Sequence, residues 1–134
     1  MPNRLSRAVV AAAALALTPV AHAHHSFAAE YDANQPVTLK GRIVRIDLVN
    51  PHAWLYLEVQ EPDGKMVRWY VEMGAPNNLS RRGVTKTTLP VGEAVTVDGY
   101  RAKDGTTTVN GRQIRMSDGR TLFTGSSSIA TGDQ

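Results

Sequence analysis

Residues 53–73 read AWLYLEVQEPDGKMVRWYVEM, and this stretch decides the fold because it predicts one antiparallel hairpin. Apolar and polar side chains alternate on both sides of residues 62–64, which is the two-residue period of a half-buried strand. The three-residue loop Pro62-Asp63-Gly64 needs a left-handed residue at its third position, where glycine stands. The stretch therefore predicts the second and third strands of the chain, the third over residues 66–73.

The loop also determines the register of the hairpin, because a one-residue slip would set apolar side chains against polar ones. On the inner face, Leu55 lies opposite Val71 and Leu57 lies opposite Trp69. On the outer face the opposed pairs are Trp54 with Glu72, Tyr56 with Tyr70, and Glu58 with Arg68.

The chain before the hairpin predicts one long, bent first strand over residues 37–49. Apolar side chains take odd positions from Val37 to Ile43 and even positions at Ile46 and Leu48. A change of phase within one strand is what a β-bulge produces, and a bulge bends the strand. We expect the bulge near residues 44–45, where the bend would let one strand serve two sides of a barrel.

The chain after the hairpin predicts a short helix and then two or three strands. Proline suits the first turn of a helix and glycine its C-terminal cap, so Pro76 and Gly83 bound a helix over residues 76–82. A fourth strand contains Val95 and Val97, a fifth spans residues 107–116, and residues 122–123 add a short last one.

This order of elements predicts an all-β protein. Three strands, one short helix between strands 3 and 4, and then two or three strands are typical of a small OB-fold-like barrel of five to six strands. The alternative is another small open β-barrel or roll with the same hairpins. The pattern contains no βαβ alternation, which disfavours an α/β enzyme fold.

The first 23 residues predict a signal peptide that is removed on export. Arg4 and Arg7 precede an uncharged apolar run over residues 8–17, and Ala21-His22-Ala23 supplies the small residues that a signal peptidase reads. The run is too short for the roughly 20 residues of a membrane anchor. We expect cleavage after Ala23 and no membrane span afterwards. A single domain then covers residues 24–124, starting with an extended segment at 24–36, and a disordered tail covers 125–134.

Charge and composition narrow the classes of partner. The 134-residue chain has a formal charge of +3, which falls to +1 because cleavage removes Arg4 and Arg7 and no acidic residue. So small an excess of positive charge argues against nucleic acid as a partner. The chain has no cysteine, which excludes thiolate metal sites and cysteine nucleophiles.

Six short motifs, in order along the chain, resemble a family of small exported bacterial proteins known as domain of unknown function 6152. They are HHSF at 24–27, VTLKG at 37–41, NPHAW at 50–54, EMGAP at 72–76, RRG at 81–83 and GYRAKDG at 99–105. The resemblance covers nearly the whole mature chain. It implies an exported bacterial domain with a periplasmic location, and it brings no activity or substrate with it.

Three histidines remain after cleavage: His24, His25 and His52. If His24 is the new N-terminus, its α-amine and imidazole can chelate one metal ion as a histidine brace, and His25 and His52 can add imidazoles. Nitrogen-rich, roughly planar coordination favours Cu(II), with Zn(II) as second choice. In the terminal histidine alone, the arrangement resembles copper sites of periplasmic copper-binding proteins and copper monooxygenases. The alternative is a mobile terminus, with His52 bonded to a backbone carbonyl.

The outer face of the hairpin is the second candidate site. Aromatic side chains beside paired charges are typical of a binding surface on the exposed sheet of an OB-like barrel. The predicted ligand or partner surface comprises Trp54, Tyr56, Glu58, Arg68, Tyr70 and Glu72. The alternatives are that these pairs only stabilise the sheet, or that residues 24–36 cover the face.

These patterns predict a binding protein and not an enzyme. The chain has no Gly-x-Ser-x-Gly elbow, and the glutamates of the outer face each have a predicted partner. The leading hypothesis is Cu(II) binding by His24 with His25 and His52, without another cofactor. The rival is a structural or adaptor protein that docks a periplasmic protein through the aromatic face, without a metal. A third hypothesis is a polyanion or saccharide binder that uses Arg68, Arg81 and Arg82.

Overall fold

The computed structural model describes residues 27–125. The predicted signal peptide, His24, His25 and the predicted tail beyond residue 125 lie outside the described residues. Six strands and two short helices make up the described part of the chain. They are α1 (Phe27–Glu30), β1 (Tyr31–Asp47), β2 (Trp54–Gln60), β3 (Met66–Glu72), α2 (Pro76–Arg81), β4 (Ala94–Ala102), β5 (Thr108–Met116) and β6 (Thr121–Phe123).

The strands form one sheet in the order β3-β2-β1-β4-β5-β6, and each neighbouring pair in this order is antiparallel. A short parallel pairing joins β3 to β5, with Val71 opposite Val109 and Glu72 opposite Asn110. This pairing links β1 to β5 in a ring, and β6 extends the edge of β5. The mostly-β class is therefore as predicted.

β1 belongs to two pairings at once. Its residues from Pro36 to Arg42 pair with β4, and its residues from Gly41 to Asp47 pair with β2. The register with β2 shifts between Ile43 and Arg45, which confirms the predicted bulge. β2 approaches closely before the bulge, because a Cβ at Gly41 would lie 2.4 Å from the carbonyl oxygen of Glu58.

β2 and β3 pair in the predicted register, with Leu55 opposite Val71 and Glu58 opposite Arg68. Gly64 has a φ of 86°, which is the left-handed conformation that the three-residue loop requires. The register directs one face of the hairpin into the core. Leu55, Leu57, Trp69 and Val71 on that face are all buried.

One apolar core lies inside the ring of strands, and every strand contributes to it. Leu79 of α2 and the following Val84 and Leu89 are fully buried in the same core. The outer face of the β2–β3 hairpin and the loops at its open end lie outside this core, and they position the candidate site.

The N-terminal end of the described chain differs from the prediction. Residues 27–30 form one helical turn instead of an extended segment, and β1 begins at Tyr31 instead of residue 37. Tyr31 pairs with Ala102 and Pro36 pairs with Tyr100, with an irregularity between the two pairs. Residues 32–35 show no apolar alternation, so the sequence pattern does not reveal that β1 extends back to Tyr31. β1 also ends at Asp47, two residues earlier than predicted.

Candidate functional site

A cleft of about 830 Å³ opens at one end of the outer face of the β2–β3 hairpin. The β1–β2 loop forms one wall with residues 49–52, and the β4–β5 loop contributes Lys103, Asp104 and Thr106. Trp54 and Glu72, which are opposed in the hairpin register, line the cleft with Tyr31 at the start of β1. Side chains from four separate segments therefore meet here.

A buried carboxylate holds the cleft together. Glu72 is only 6% exposed, and each of its oxygens has a different partner. The Nδ1 of His52 lies 2.5 Å from Oε1, and the Tyr31 hydroxyl donates a hydrogen bond to Oε2. Burial of a carboxylate is costly unless it has polar partners, and the hydrogen bond from Tyr31 and the contact with His52 provide one for each oxygen.

The Tyr31 phenol is held in its protonated form. Burial raises its pKa above the ordinary value of 10.0, and the hydrogen bond and charge of Glu72 raise it further. Since a phenol that keeps its proton can donate to a carboxylate, the bond from Tyr31 to Glu72 has a fixed direction.

The N-terminal segment is attached along the edge of the cleft. The Phe27 ring stacks on Tyr31 with centroids 5.7 Å apart, and meets Tyr100 edge-on at 5.5 Å. Lys103 donates through Nζ to the carbonyl of Ala28 at 2.5 Å, and through its backbone N–H to the carbonyl of Glu30 at 2.8 Å. Phe27 and Tyr31 thus anchor the start of the described chain at the cleft.

The predicted metal ligands divide into two groups. His52 lines the cleft, and its side chain is 35% exposed. His24 and His25 lie outside the described residues. Within residues 27–125, no three His, Asp or Glu side chains are grouped so that they could hold a metal ion.

Five members of the predicted partner surface lie on the outer face in the expected register: Trp54, Tyr56, Glu58, Arg68 and Tyr70. The rings of Tyr56 and Tyr70 meet edge-on with centroids 5.5 Å apart. Arg68 Nη2 lies 2.9 Å from Glu58 Oε1, as the register predicts. Tyr70 is 39% exposed.

Glu72, the sixth member of the predicted surface, is only 6% exposed and lines the cleft instead of the exposed part of the outer face. It does lie opposite Trp54 as predicted, but its carboxylate is covered by Tyr31 and His52. The residues before the first predicted strand therefore cover this end of the outer face, which was one of the alternatives that the sequence left open.

Two charged residues of the outer face escaped the sequence analysis. After the bulge, Arg45 lies opposite Tyr56 and Asp47 opposite Trp54. The Arg45 guanidinium lies 5.2 Å from the centre of the Tyr56 ring, and the Tyr56 hydroxyl donates to Asp47 at 3.1 Å. The hydrogen bond from Arg45 lowers the pKa of Asp47, whereas burial and then the bond to Asp47 raise the pKa of Tyr56. The predicted bulge was the signal that could have placed both residues on this face.

Neither short helix of the described residues has the length or apolar character needed to cross a bilayer.

Comparison with known proteins adds a family to this description. No curated protein matches the chain in sequence. The pattern of one family matches residues 10–111, which is well over half of the chain. The chain belongs to the Family of unknown function (DUF6152).

Proposed function

We propose that this chain is an exported, periplasmic, non-catalytic binding protein, and that it binds Cu(II) with His24, His25 and His52. The observation that carries the proposal is the position of His52 in the cleft that the N-terminal segment lines. The proposal includes removal of residues 1–23, which would make His24 the first residue of the mature chain.

The fold that we infer is an OB-like barrel. The pairings join β1, β2, β3, β5 and β4 in a closed ring, with α2 between β3 and β4 in the chain. These features are typical of OB folds, which bind ligands on the face of strands 2 and 3 and on the loops after strands 1 and 4. The cleft around His52 lies between the corresponding loops of this chain.

The reach of the N-terminal segment supports a shared site. Ala29 and Glu30 line the cleft, and His24 precedes Ala29 by five residues. A chain extends at most about 3.6 Å per residue, so His24 starts within roughly 18 Å of Ala29. This bound is compatible with His24 and His52 contributing to one site, as the proposal requires.

The chemistry of these groups favours Cu(II). An amine and two or three imidazoles give a nitrogen-rich ligand set, which binds Cu(II) more strongly than the other divalent first-row metals. The chain contains no cysteine, and none of its methionines lines the cleft among residues 27–125. A soft sulfur ligand that would favour Cu(I) is therefore lacking at the described part of the site.

The test compares two forms of the mature protein that differ only at the N-terminus. One form begins at His24 with a free α-amine, and the other begins at His24 with that amine acetylated, because an added Gly would place His25 third in the chain and create a different Cu(II) chelate. Cu(II) affinity is measured by competition with a chelator, and the ligand set by electron paramagnetic resonance. We expect tight binding by the first form and a loss of at least about tenfold in the second, since the acetylated amine cannot bind the metal ion. Equal affinity of the two forms would contradict the brace.

A His52→Ala variant of the form with the free α-amine tests the cleft separately. We expect weaker Cu(II) binding and a changed resonance spectrum, because one nitrogen ligand is removed. Mass spectrometry of the protein recovered after export tests cleavage after Ala23. A different first residue in the exported protein would remove the basis for the brace.

The exposed part of the outer face favours a second function, docking of a periplasmic protein. Met66 and Tyr70 point to the same side of β3 and are 59% and 39% exposed. A photo-crosslinking residue at position 70 would then give one discrete adduct in cells, and the same residue at the exposed Thr121 of β6 would give none. Equal labelling from both positions would argue against docking, and unimpaired Cu(II) binding by a Tyr70 variant separates the two functions.

A further inference from the structure

Two side-chain contacts, from Tyr31 to Glu72 and from Glu72 to His52, bear on which imidazole nitrogen can bind a ligand. The Nδ1 of His52 lies 2.5 Å from Oε1 of Glu72, and a carboxylate only accepts hydrogen bonds, so a hydrogen bond across this contact places the proton on Nδ1. In the neutral imidazole, Nε2 then carries the lone pair. His52 lines the cleft and is one-third exposed, so this lone pair is the one available to a ligand.

Glu72 is held in place from its other side. The Tyr31 hydroxyl donates to Oε2, which leaves Oε1 for His52. Tyr31 is itself immobilised, because it is 4% exposed, stacks on Phe27 and pairs with Ala102 of β4. The carboxylate therefore has one defined orientation between a buried phenol and the imidazole.

We propose that Glu72 and Tyr31 are positioning residues for His52, and that they keep its imidazole in the Nδ1–H form with Nε2 free to bind Cu(II). The inference rests on the proposed function for the identity of the metal. The position of the proton on the imidazole can be measured in the metal-free protein, so the positioning role of Glu72 and Tyr31 is tested without copper. Ligating histidines are commonly held by a carboxylate in this way, and loss of that partner weakens metal binding by about 10- to 100-fold.

The first measurement is the nitrogen-15 spectrum of His52 in metal-free protein, recorded at rising pH until the ring signals no longer change. Protonated and unprotonated ring nitrogens have well-separated chemical shifts. We expect Nδ1 to carry the proton in the wild-type protein. A proton on Nε2, or an even mixture of the two forms, would overturn the proposal without any variant.

Glu72→Gln is the decisive variant because it keeps the shape of the side chain. The Tyr31 hydroxyl still needs an acceptor, so the carboxamide oxygen takes the place of Oε2 and the amide NH2 faces His52. Nδ1 must then accept, and the proton moves to Nε2. We expect this switch in the nitrogen-15 spectrum and a fall of about 10- to 100-fold in Cu(II) affinity. If the proton stays on Nδ1 in the folded variant, Glu72 does not determine the form of the imidazole and the proposal is overturned.

The double variant Tyr31→Phe with Glu72→Gln tests the part that Tyr31 plays. Without the hydroxyl the carboxamide has no preferred orientation, so we expect both imidazole forms in comparable amounts. Persistence of the Nε2–H form alone would overturn the role of Tyr31. Tyr100→Phe is the control, because it removes a hydroxyl that accepts a hydrogen bond from Arg112 and has no bond to Glu72. It should leave the His52 spectrum and Cu(II) affinity unchanged.

The two proposals fail in different ways. If His52→Ala leaves Cu(II) affinity unchanged, His52 is not a ligand and the copper site is wrong, whatever the nitrogen-15 spectra show. If His52→Ala weakens binding but Glu72→Gln switches the proton and leaves the affinity at its wild-type value, the copper site stands and the positioning role is overturned.

Discussion

The two ends of the outer face of the β2–β3 hairpin each carry a glutamate beside a basic side chain, in different surroundings. Near the turn, Arg68 lies 2.9 Å from Glu58, and the two side chains are 50% and 44% exposed. At the open end, His52 lies 2.5 Å from Glu72, whose side chain is only 8% exposed. The same alternation of side chains thus places a solvated pair at one end and a buried carboxylate at the other.

The difference arises from what lies above each pair. The side chains of Glu58 and Arg68 are about half exposed, so water screens their attraction. Tyr31 and the loop that contains His52 cover Glu72, which loses most of its contact with water. A charge removed from water must find its stabilisation in specific partners, and removal of a partner is then costly. The comparison predicts that substitutions at the open end lower the free energy of unfolding by more than substitutions near the turn.

Replacement of each glutamate by alanine gives the largest expected contrast. We expect Glu72→Ala to lower the free energy of unfolding by about 2–3 kcal/mol, because the buried Tyr31 hydroxyl loses its acceptor and a cavity remains. Glu58→Ala should lower it by less than about 1 kcal/mol, since both partners stay solvated. Urea denaturation of the two variants measures the contrast, and similar losses would show that burial does not distinguish the two ends.

Removal of a single hydroxyl sharpens the comparison. Tyr31→Phe should lower the free energy of unfolding by about 1–2 kcal/mol, because it leaves an oxygen of the buried Glu72 without its donor. Tyr56→Phe removes a hydroxyl bound to the better-solvated Asp47, and should cost about 0.5 kcal/mol. Thermal or urea unfolding of both variants is the measurement. An equal cost for the two would mean that the bond between Tyr31 and Glu72 contributes no more than a surface bond.

The turn end of the hairpin was predictable because its contacts are local in sequence. Arg68 and Glu58 are ten residues apart, and the three-residue loop with Gly64 determines their register. The alternation of apolar side chains shows which face enters the core. Together these signals predicted the pairs of Glu58 with Arg68 and of Tyr56 with Tyr70 correctly.

The open end was not predictable by the same signals. Tyr31 and Glu72 are 41 residues apart, and their contact depends on the pairing of the start of β1 with β4. The polar residues 32–35 show no alternation that would reveal this pairing. The outward position of Glu72 was therefore correct in register, but its burial depends on a segment whose path the pattern does not reveal. The pairing of His52 with a carboxylate was missed for the same reason.

The alkaline pH dependence of Tyr31→Phe tests the buried phenol directly. The pKa of Tyr31 is raised in the folded protein by burial and by Glu72, so its contribution to stability is fully present below the unfolded pKa of about 10. As the pH rises above that value, the unfolded chain releases the phenolic proton and the folded protein retains it. The wild-type protein then loses up to about 1.4 kcal/mol per pH unit relative to Tyr31→Phe. Urea denaturation at about pH 8 and about pH 11 measures this, and a constant difference between the two proteins would contradict the raised pKa.

The exposed pair near the turn should give the smallest effect. In a double-mutant cycle of Glu58→Ala and Arg68→Ala, we expect a coupling energy of about 0.2–1 kcal/mol, since the two side chains are about half exposed and 2.9 Å apart. The coupling should fall further when salt is raised from about 0.1 M to about 1 M, because the screening length shortens from about 10 Å to about 3 Å. A coupling above about 2 kcal/mol that resists salt would place this pair in the same class as Glu72 and its partners. The contrast between the two ends would then come from the chemistry of the pairs and not from the segment that covers one of them.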